Sequence, residues 1–181
     1  MADDVIIHGK NEEHDYNLKR FLERCREKGI QLNKEKSKLK EKSLVFMGHM
    51  TTEDGLHSDP EKVRAITNLP APENIHDLRK FLGMVNYLSR FLPHVTTVLQ
   101  PLQNLLKKDV PWTWSDHHEK AFQETKAMIE ADVKLAYYDP KKKLTLENDA
   151  SEYGLGAVMM QEGRPVAFAS RTLSLAEKNY A

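Results

Sequence analysis

The chain has 181 residues, 27 Lys and Arg balanced by 27 Asp and Glu, 40% hydrophobic residues and a single cysteine. An apolar fraction of that size buries a core, so the composition is that of a folded globular chain, one ordinary domain or two small ones. The longest apolar runs, about four residues, fall far short of the roughly 18 that cross a bilayer. The acidic start is unlike a signal peptide, and one cysteine closes no internal disulfide, so an intracellular, reducing setting and no membrane partner are expected.

Net neutrality hides a segmental imbalance. Residues 61–108 carry 7 basic and 3 acidic groups, residues 109–140 carry 3 and 7, and residues 19–42 hold ten Lys and Arg against four Glu. Part of the surface can therefore meet phosphates without the whole chain behaving as a polycation, although charge alone reads equally as solvated helix faces.

In chain order, the β-branched Asp4-Val5-Ile6-Ile7-His8 predicts a short strand. Residues 12–28 predict a helix, with Leu18, Phe21, Leu22 and Cys25 at helical spacing and Gly29 as its stop; Cys25 is a buried hydrophobe there rather than a nucleophile. Residues 44–50 and 55–58 predict a hairpin turning at Glu53-Asp54-Gly55. Asp59-Pro60 then opens a short helix over 63–69, capped by Asp59. After Pro70 and Pro72 a longer helix over 75–91 carries two adjacent apolar stripes, Ile75, Leu78, Leu82, Val85 and Phe81, Met84, Leu88, Phe91, and so is buried on two sides. A further helix over 95–107 completes a helical segment. A loop with Trp112 and Trp114 leads into a helix over 116–131, where the neighbouring His117 and His118 point to different faces and read as exposed polar residues. Three strands, 144–149, 154–161 and 164–171, predict an antiparallel meander, and Ser174-Leu175-Ala176-Glu177 is a capping box at the start of a last helix.

Several of these stretches, in this order, resemble the Pol polyprotein of gypsy-class long-terminal-repeat retrotransposons and related retroviruses. Met1-Ala2-Asp3-Asp4-Val5 is similar to the reverse-transcriptase Tyr-x-Asp-Asp box with the chain starting on the tyrosine. Phe46-Met47-Gly48-His49, with Asp59-Pro60-Glu61-Lys62, resembles the primer-grip hairpin and the start of the thumb. Leu78-Arg79-Lys80-Phe81-Leu82-Gly83, with Asn86-Tyr87 and Arg90-Phe91, resembles the thumb signature. Trp112-Thr113-Trp114, Asp149-Ala150-Ser151, Gly154-Leu155-Gly156-Ala157-Val158 and Ala169-Ser170-Arg171-Thr172-Leu173 resemble the first strands of the attached ribonuclease H domain, with Asn148 where the family commonly has threonine.

The resemblance implies an α+β chain in three parts: a palm remnant with hairpins over 1–59, a helical thumb over 60–110, and over 111–181 a linker helix with the N-terminal three-stranded antiparallel part of a ribonuclease H-like fold. It implies a fragment of an RNA-directed DNA polymerase with ribonuclease H. Asp3, Asp4 and Asp149 would be its catalytic and Mg²⁺-binding carboxylates, and Phe46, Met47, Gly48, Arg79, Lys80, Asn86, Tyr87 and Arg90 its contacts to a template–primer duplex or RNA/DNA hybrid. Two-metal chemistry needs more carboxylates than these, so the chain is expected to be inactive alone. The alternatives are a noncatalytic nucleic-acid binding module and a protein-interaction remnant that self-associates through open strand edges. Phe81 and Phe91 are expected to pack rather than stack on bases.

Overall fold

A computed structural model describes residues 4–9 and 12–179. Its first helix, α1 (Glu12–Glu27), ends as its glycine dictates: Gly29 sits at φ +66°, its N–H donates to the Arg26 carbonyl, and the Ile30 N–H donates to the Cys25 carbonyl. Cys25 is buried, while Leu22 of the same stripe is exposed. The expected strand over 4–8 does not form. That segment runs as irregular chain against α1, tied where Asn17 donates to the His8 carbonyl at 3.1 Å, and no described strand pairs with it. Strand composition becomes a strand only where a neighbouring edge takes its hydrogen bonds.

The expected single hairpin is a three-stranded antiparallel meander of β1 (Ser43–Phe46), β2 (His49–Thr52) and β3 (Gly55–Ser58). The residues read as one strand over 44–50 are split by a two-residue turn, Met47 at φ +50° and Gly48 at φ +74°, with Phe46 facing His49 across it. Positive φ at both positions is the signature of a hairpin turn whose twist matches its strands.

The helical middle follows the sequence closely. Asp59 accepts from the Glu61 N–H and caps α2 (Pro60–Thr67), and Asn74 caps α3 (Ile75–Leu88), which tightens into a 3₁₀ turn at Ser89–Phe91 before Pro93. The chain turns at His94 into α4 (Val95–Asn104), and α5 is Asp116–Glu130. Leu78, Phe81, Val85 and Leu88 of α3, Leu99 and Leu102 of α4 and Phe122 and Ile129 of α5 make one core, with the rings of Phe81 and Phe122 4.6 Å apart. That core runs across residue 110, the place of a boundary in the sequence reading, because α5 supplies one of its walls. His118 is not a free surface residue. Its Nδ1 accepts from the Ser115 N–H at 3.1 Å and lies 2.8 Å from the Ser115 hydroxyl, closing the N-terminus of α5.

The second sheet is the expected meander, β4 (Thr145–Ala150), β5 (Gly154–Gln161) and β6 (Arg164–Thr172), followed by α6 (Leu175–Lys178) with its Ser174/Glu177 capping box. One face packs on the 3₁₀ turn and on α4, where Thr172 meets Gln103 at 3.1 Å. The opposite face carries the row Leu146, Met159, Ala167, and Leu146 is 63% exposed. The two sheets are tied through residues 135–137. Leu56 and Leu135 exchange backbone hydrogen bonds of 2.8 and 3.0 Å, the Ala136 N–H donates to the Pro165 carbonyl, and the Tyr137 hydroxyl donates to the Thr52 carbonyl. Among the described residues no helix is long and apolar enough to cross a membrane.

Candidate nucleic-acid interface

The turn between β1 and β2 is locked onto α3. The Tyr87 hydroxyl donates to the Met47 carbonyl at 2.9 Å, and the Lys62 ammonium of α2 sits 3.8 Å above the centre of the Tyr87 ring. A Cβ at position 48 would run into both the Tyr87 hydroxyl and the Lys62 ammonium, so glycine is needed there for space as well as for its positive φ. His49, the next residue, stacks on Tyr87 at 5.4 Å and meets the edge of Phe91 at 5.3 Å. Its Nδ1 atom is buried and has no hydrogen-bond partner among the described residues. Burial lowers the His49 pKa from its ordinary value; the charges of Arg90 and Lys62 lower it further, and Asp59 opposes them. The imidazole is therefore neutral near pH 7, which an unpartnered buried nitrogen requires.

Helix α3 turns its core stripe inward and leaves a polar one outside. Arg79, Gly83 and Asn86 follow one another at helical spacing, and Arg90 continues the line on the 3₁₀ turn, all exposed, with Lys80 one ridge over in line with Tyr87. Gly83 has nothing within 4 Å of where a Cβ would be. A mid-helix glycine costs about 0.5–1 kcal/mol relative to alanine, and no packing neighbour among the described residues requires it. Its effect is a flat step of bare backbone between two guanidinium groups. Arg79 lies about 12 Å along the axis from Tyr87, so the stripe and the turn form one extended surface. Of the sequence-predicted contacts, the fold thus gathers Phe46, Met47, Gly48, Tyr87 and Arg90 at one end and sets Arg79 and Lys80 at the other. Phe81 and Phe91 are core residues.

The predicted carboxylates are not gathered. Asp3 lies outside the described residues, Asp4 is exposed in the irregular segment beside α1, and Asp149 is on β4 of the second sheet. Asp149 Oδ1 accepts from the Ala150 N–H at 2.9 Å. Its register partner is Gly156, and a Cβ there would press on the His94 ring at 2.8 Å, so Asp149 faces the end of the helical core and shares a small pocket with His94, Thr96 and Ser151. Among the described residues no group of three or more His, Cys, Asp or Glu side chains is placed to hold a metal ion. One carboxylate and one imidazole do not fit a paired Mg²⁺ centre. Glu177 is committed elsewhere: hydrogen bonds from Arg171 first and Ser174 second hold its pKa down to about 2.

Sequence reading missed Lys62, His49 and the open backbone at Gly83. The signal was present for the first two, since both lie within the stretches resembling the primer grip and thumb start, but nothing local shows that residues 25 to 40 positions apart meet.

Comparison with known proteins agrees with the motifs. Residues 114–181 match the family described as an RNase H-like domain found in reverse transcriptase. Over 99% of its length the chain is 35% identical to the retrovirus-related Pol polyprotein from transposon gypsy of Drosophila melanogaster, and 34% identical to the Tf2-3 polyprotein of Schizosaccharomyces pombe. It spans only 19% and 14% of their respective lengths. Among solved structures, the foamy viral protease-reverse transcriptase dRH in complex with double-stranded DNA superposes with a TM-score of 0.83 at 22% identity, over 94% of this chain and 31% of that one. The foamy viral protease-reverse transcriptase in complex with an RNA/DNA hybrid gives 0.82 at 22% identity, over 94% of this chain and 24% of that one. The α+β fold is therefore shared with these protease-reverse transcriptase structures, and residues 114–181, with their antiparallel meander, match the RNase H-like domain.

Proposed function

We propose that this relative of the transposon Pol polyproteins supplies the grip on nucleic acid of an RNA-directed DNA polymerase with ribonuclease H. The turn Met47-Gly48 and the outer stripe of α3 lie along the backbone of a template–primer duplex or RNA/DNA hybrid. Residues 1–59 act as palm, 60–110 as thumb and 111–181 as the start of the ribonuclease H-like part. The longer protein makes DNA on an RNA template and hydrolyses the RNA strand, at an intracellular site where Cys25 stays reduced. The observation that carries the reading is the Tyr87–Met47 hydrogen bond, which fixes the turn to the helix that bears Arg79, Gly83, Asn86 and Arg90.

A wide, shallow minor groove is read through phosphates and 2′-hydroxyls, and a smooth helix face with guanidinium groups at both ends suits it. Asp3, Asp4 and Asp149 are the carboxylates proposed to join further ligands and Mg²⁺ in the longer protein; by itself this chain grips and does not cleave. Fluorescence anisotropy with a labelled RNA/DNA hybrid across a salt series tests this. Binding should weaken with salt at a log–log slope of roughly −3, about −0.9 for each of the phosphates met by Arg79, Lys80 and Arg90. Absence of binding at low salt, or an unchanged affinity for Arg79→Glu, overturns it; turnover in a primer-extension or hybrid-cleavage assay overturns the statement that the chain alone is inactive.

A second reading rests on the row Leu146, Met159, Ala167 across the second sheet, in which Leu146 on the exposed strand β4 lies open and Met159 and Ala167 are half-buried. Apolar area of this kind favours association. Light scattering should show concentration-dependent self-association that Leu146→Lys removes; a monomer at all concentrations counts against it.

A further inference from the structure

Lys62 has no place in the grip as described above, yet its surroundings are those of a bound anion. Its ammonium lies over the Tyr87 ring and beside the bare backbone of Gly48, and among the described residues neither it nor Arg90 forms an ion pair with a carboxylate. The charges of Arg90 and Lys62 both depress the titration of the half-buried His49, and Asp59, whose charge opposes them, is buried and occupied with capping α2. The Lys62 charge is thus held at the turn by an aromatic ring and a glycine backbone, without a carboxylate to neutralise it. The aromatic ring fixes the Lys62 ammonium without cancelling its charge or taking up its N–H donors as a carboxylate would.

We propose that Lys62 binds a backbone phosphate of the nucleic-acid strand lying on the Met47-Gly48 turn, and that Tyr87 aims the Lys62 ammonium at it. This rests on the grip reading above and adds to it a contact supplied by α2. The ligand is a phosphodiester anion; a free nucleotide triphosphate offers the same chemistry and is separated by competition.

The test is anisotropy on the full chain with labelled RNA/DNA hybrid over a salt series, comparing Lys62→Gln, Lys62→Arg and, as a charge-matched control in another part of the fold, Lys143→Gln, with thermal melts confirming that each variant is folded. Lys62→Gln should weaken binding several-fold at low salt and reduce the salt slope by about 1, Lys62→Arg should restore both, and Lys143→Gln should leave the slope unchanged. Excess unlabelled hybrid should compete and equimolar dATP should not. If the unaltered chain fails to bind at low salt, the grip reading falls and this proposal with it. If the unaltered chain binds but Lys62→Gln matches Lys143→Gln, only the Lys62 assignment is overturned; displacement by dATP overturns the phosphodiester in favour of a nucleotide.

Discussion

In the helical middle, Phe81, Val85, Leu88, Phe91, Leu102 and Phe122 are at most 1% exposed, whereas residues 26–43 are exposed throughout and every residue of β4 lies open. The comparison separates what holds the molecule together from what would do chemistry. The helical part of the proposed grip stands on α3 and the 3₁₀ turn, whose other side is core, and its turn is tied to α3 through Tyr87. The predicted carboxylates lie on segments with little packed behind them: Asp4 on irregular chain, Asp149 on an open strand. Two-metal hydrolysis demands placement to a fraction of an ångström, and neither location provides that by itself.

The largest effect that tests this contrast is in the core. Phe122→Ala should lower unfolding free energy by about 3–5 kcal/mol, while Leu22→Ala, on the exposed side of α1, should stay within about 0.5 kcal/mol. Urea unfolding of the two variants decides it, and equal losses would erase the distinction between middle and flank. Gly48→Ala comes next, at about 1–2 kcal/mol for a side chain forced to positive φ, together with weaker hybrid binding because the methyl displaces Tyr87. If the melt shifts but binding does not, the turn is structural only. Tyr87→Phe keeps the ring under Lys62 and removes the hydrogen bond to Met47, so a loss of about 0.5–1 kcal/mol in stability and a smaller loss of affinity are expected.

The smallest effects are in acid. His49 is held neutral with a depressed pKa, so the unfolded chain binds its proton first; its stabilising contribution is complete above the ordinary histidine pKa of 6.5 and declines as pH falls below that value. Glu177, also depressed, contributes fully above its ordinary 4.5 and loses its contribution as pH falls toward about 2. Melting temperatures should therefore fall in two stages. His49→Gln should flatten the first, and Glu177→Gln the second. A single transition shared by both variants would mean that neither group is linked to folding as placed.

Several features were legible in the residues because their causes are local. Asp59 before Pro60 and Ser174 ahead of Glu177 specify helix starts through bonds spanning two or three positions. The apolar stripes of α3 mark Phe81 and Phe91 as packing residues, and they are buried. The two-residue turns form an instructive pair. Glu162-Gly163, at φ +51° and +73°, follows a strand that ends in polar residues and is readable as a turn. Met47-Gly48, at φ +50° and +74°, has the same backbone but begins with an apolar residue, so it passes for strand. The strand expected over 4–8 failed in the opposite sense, since its composition was right and its partner edge was missing.

The order of residues alone determined the helices, the second antiparallel meander, the core stripe of α3 and the family resemblance, because each depends on periodicity or on neighbours within one turn. Only the tertiary fold decided that Lys62 and Tyr87 meet at Gly48, that α5 completes the core begun by α3, and that Asp149 looks toward His94. Those are meetings of distant segments, and what brings them together is the burial of the shared core beneath them.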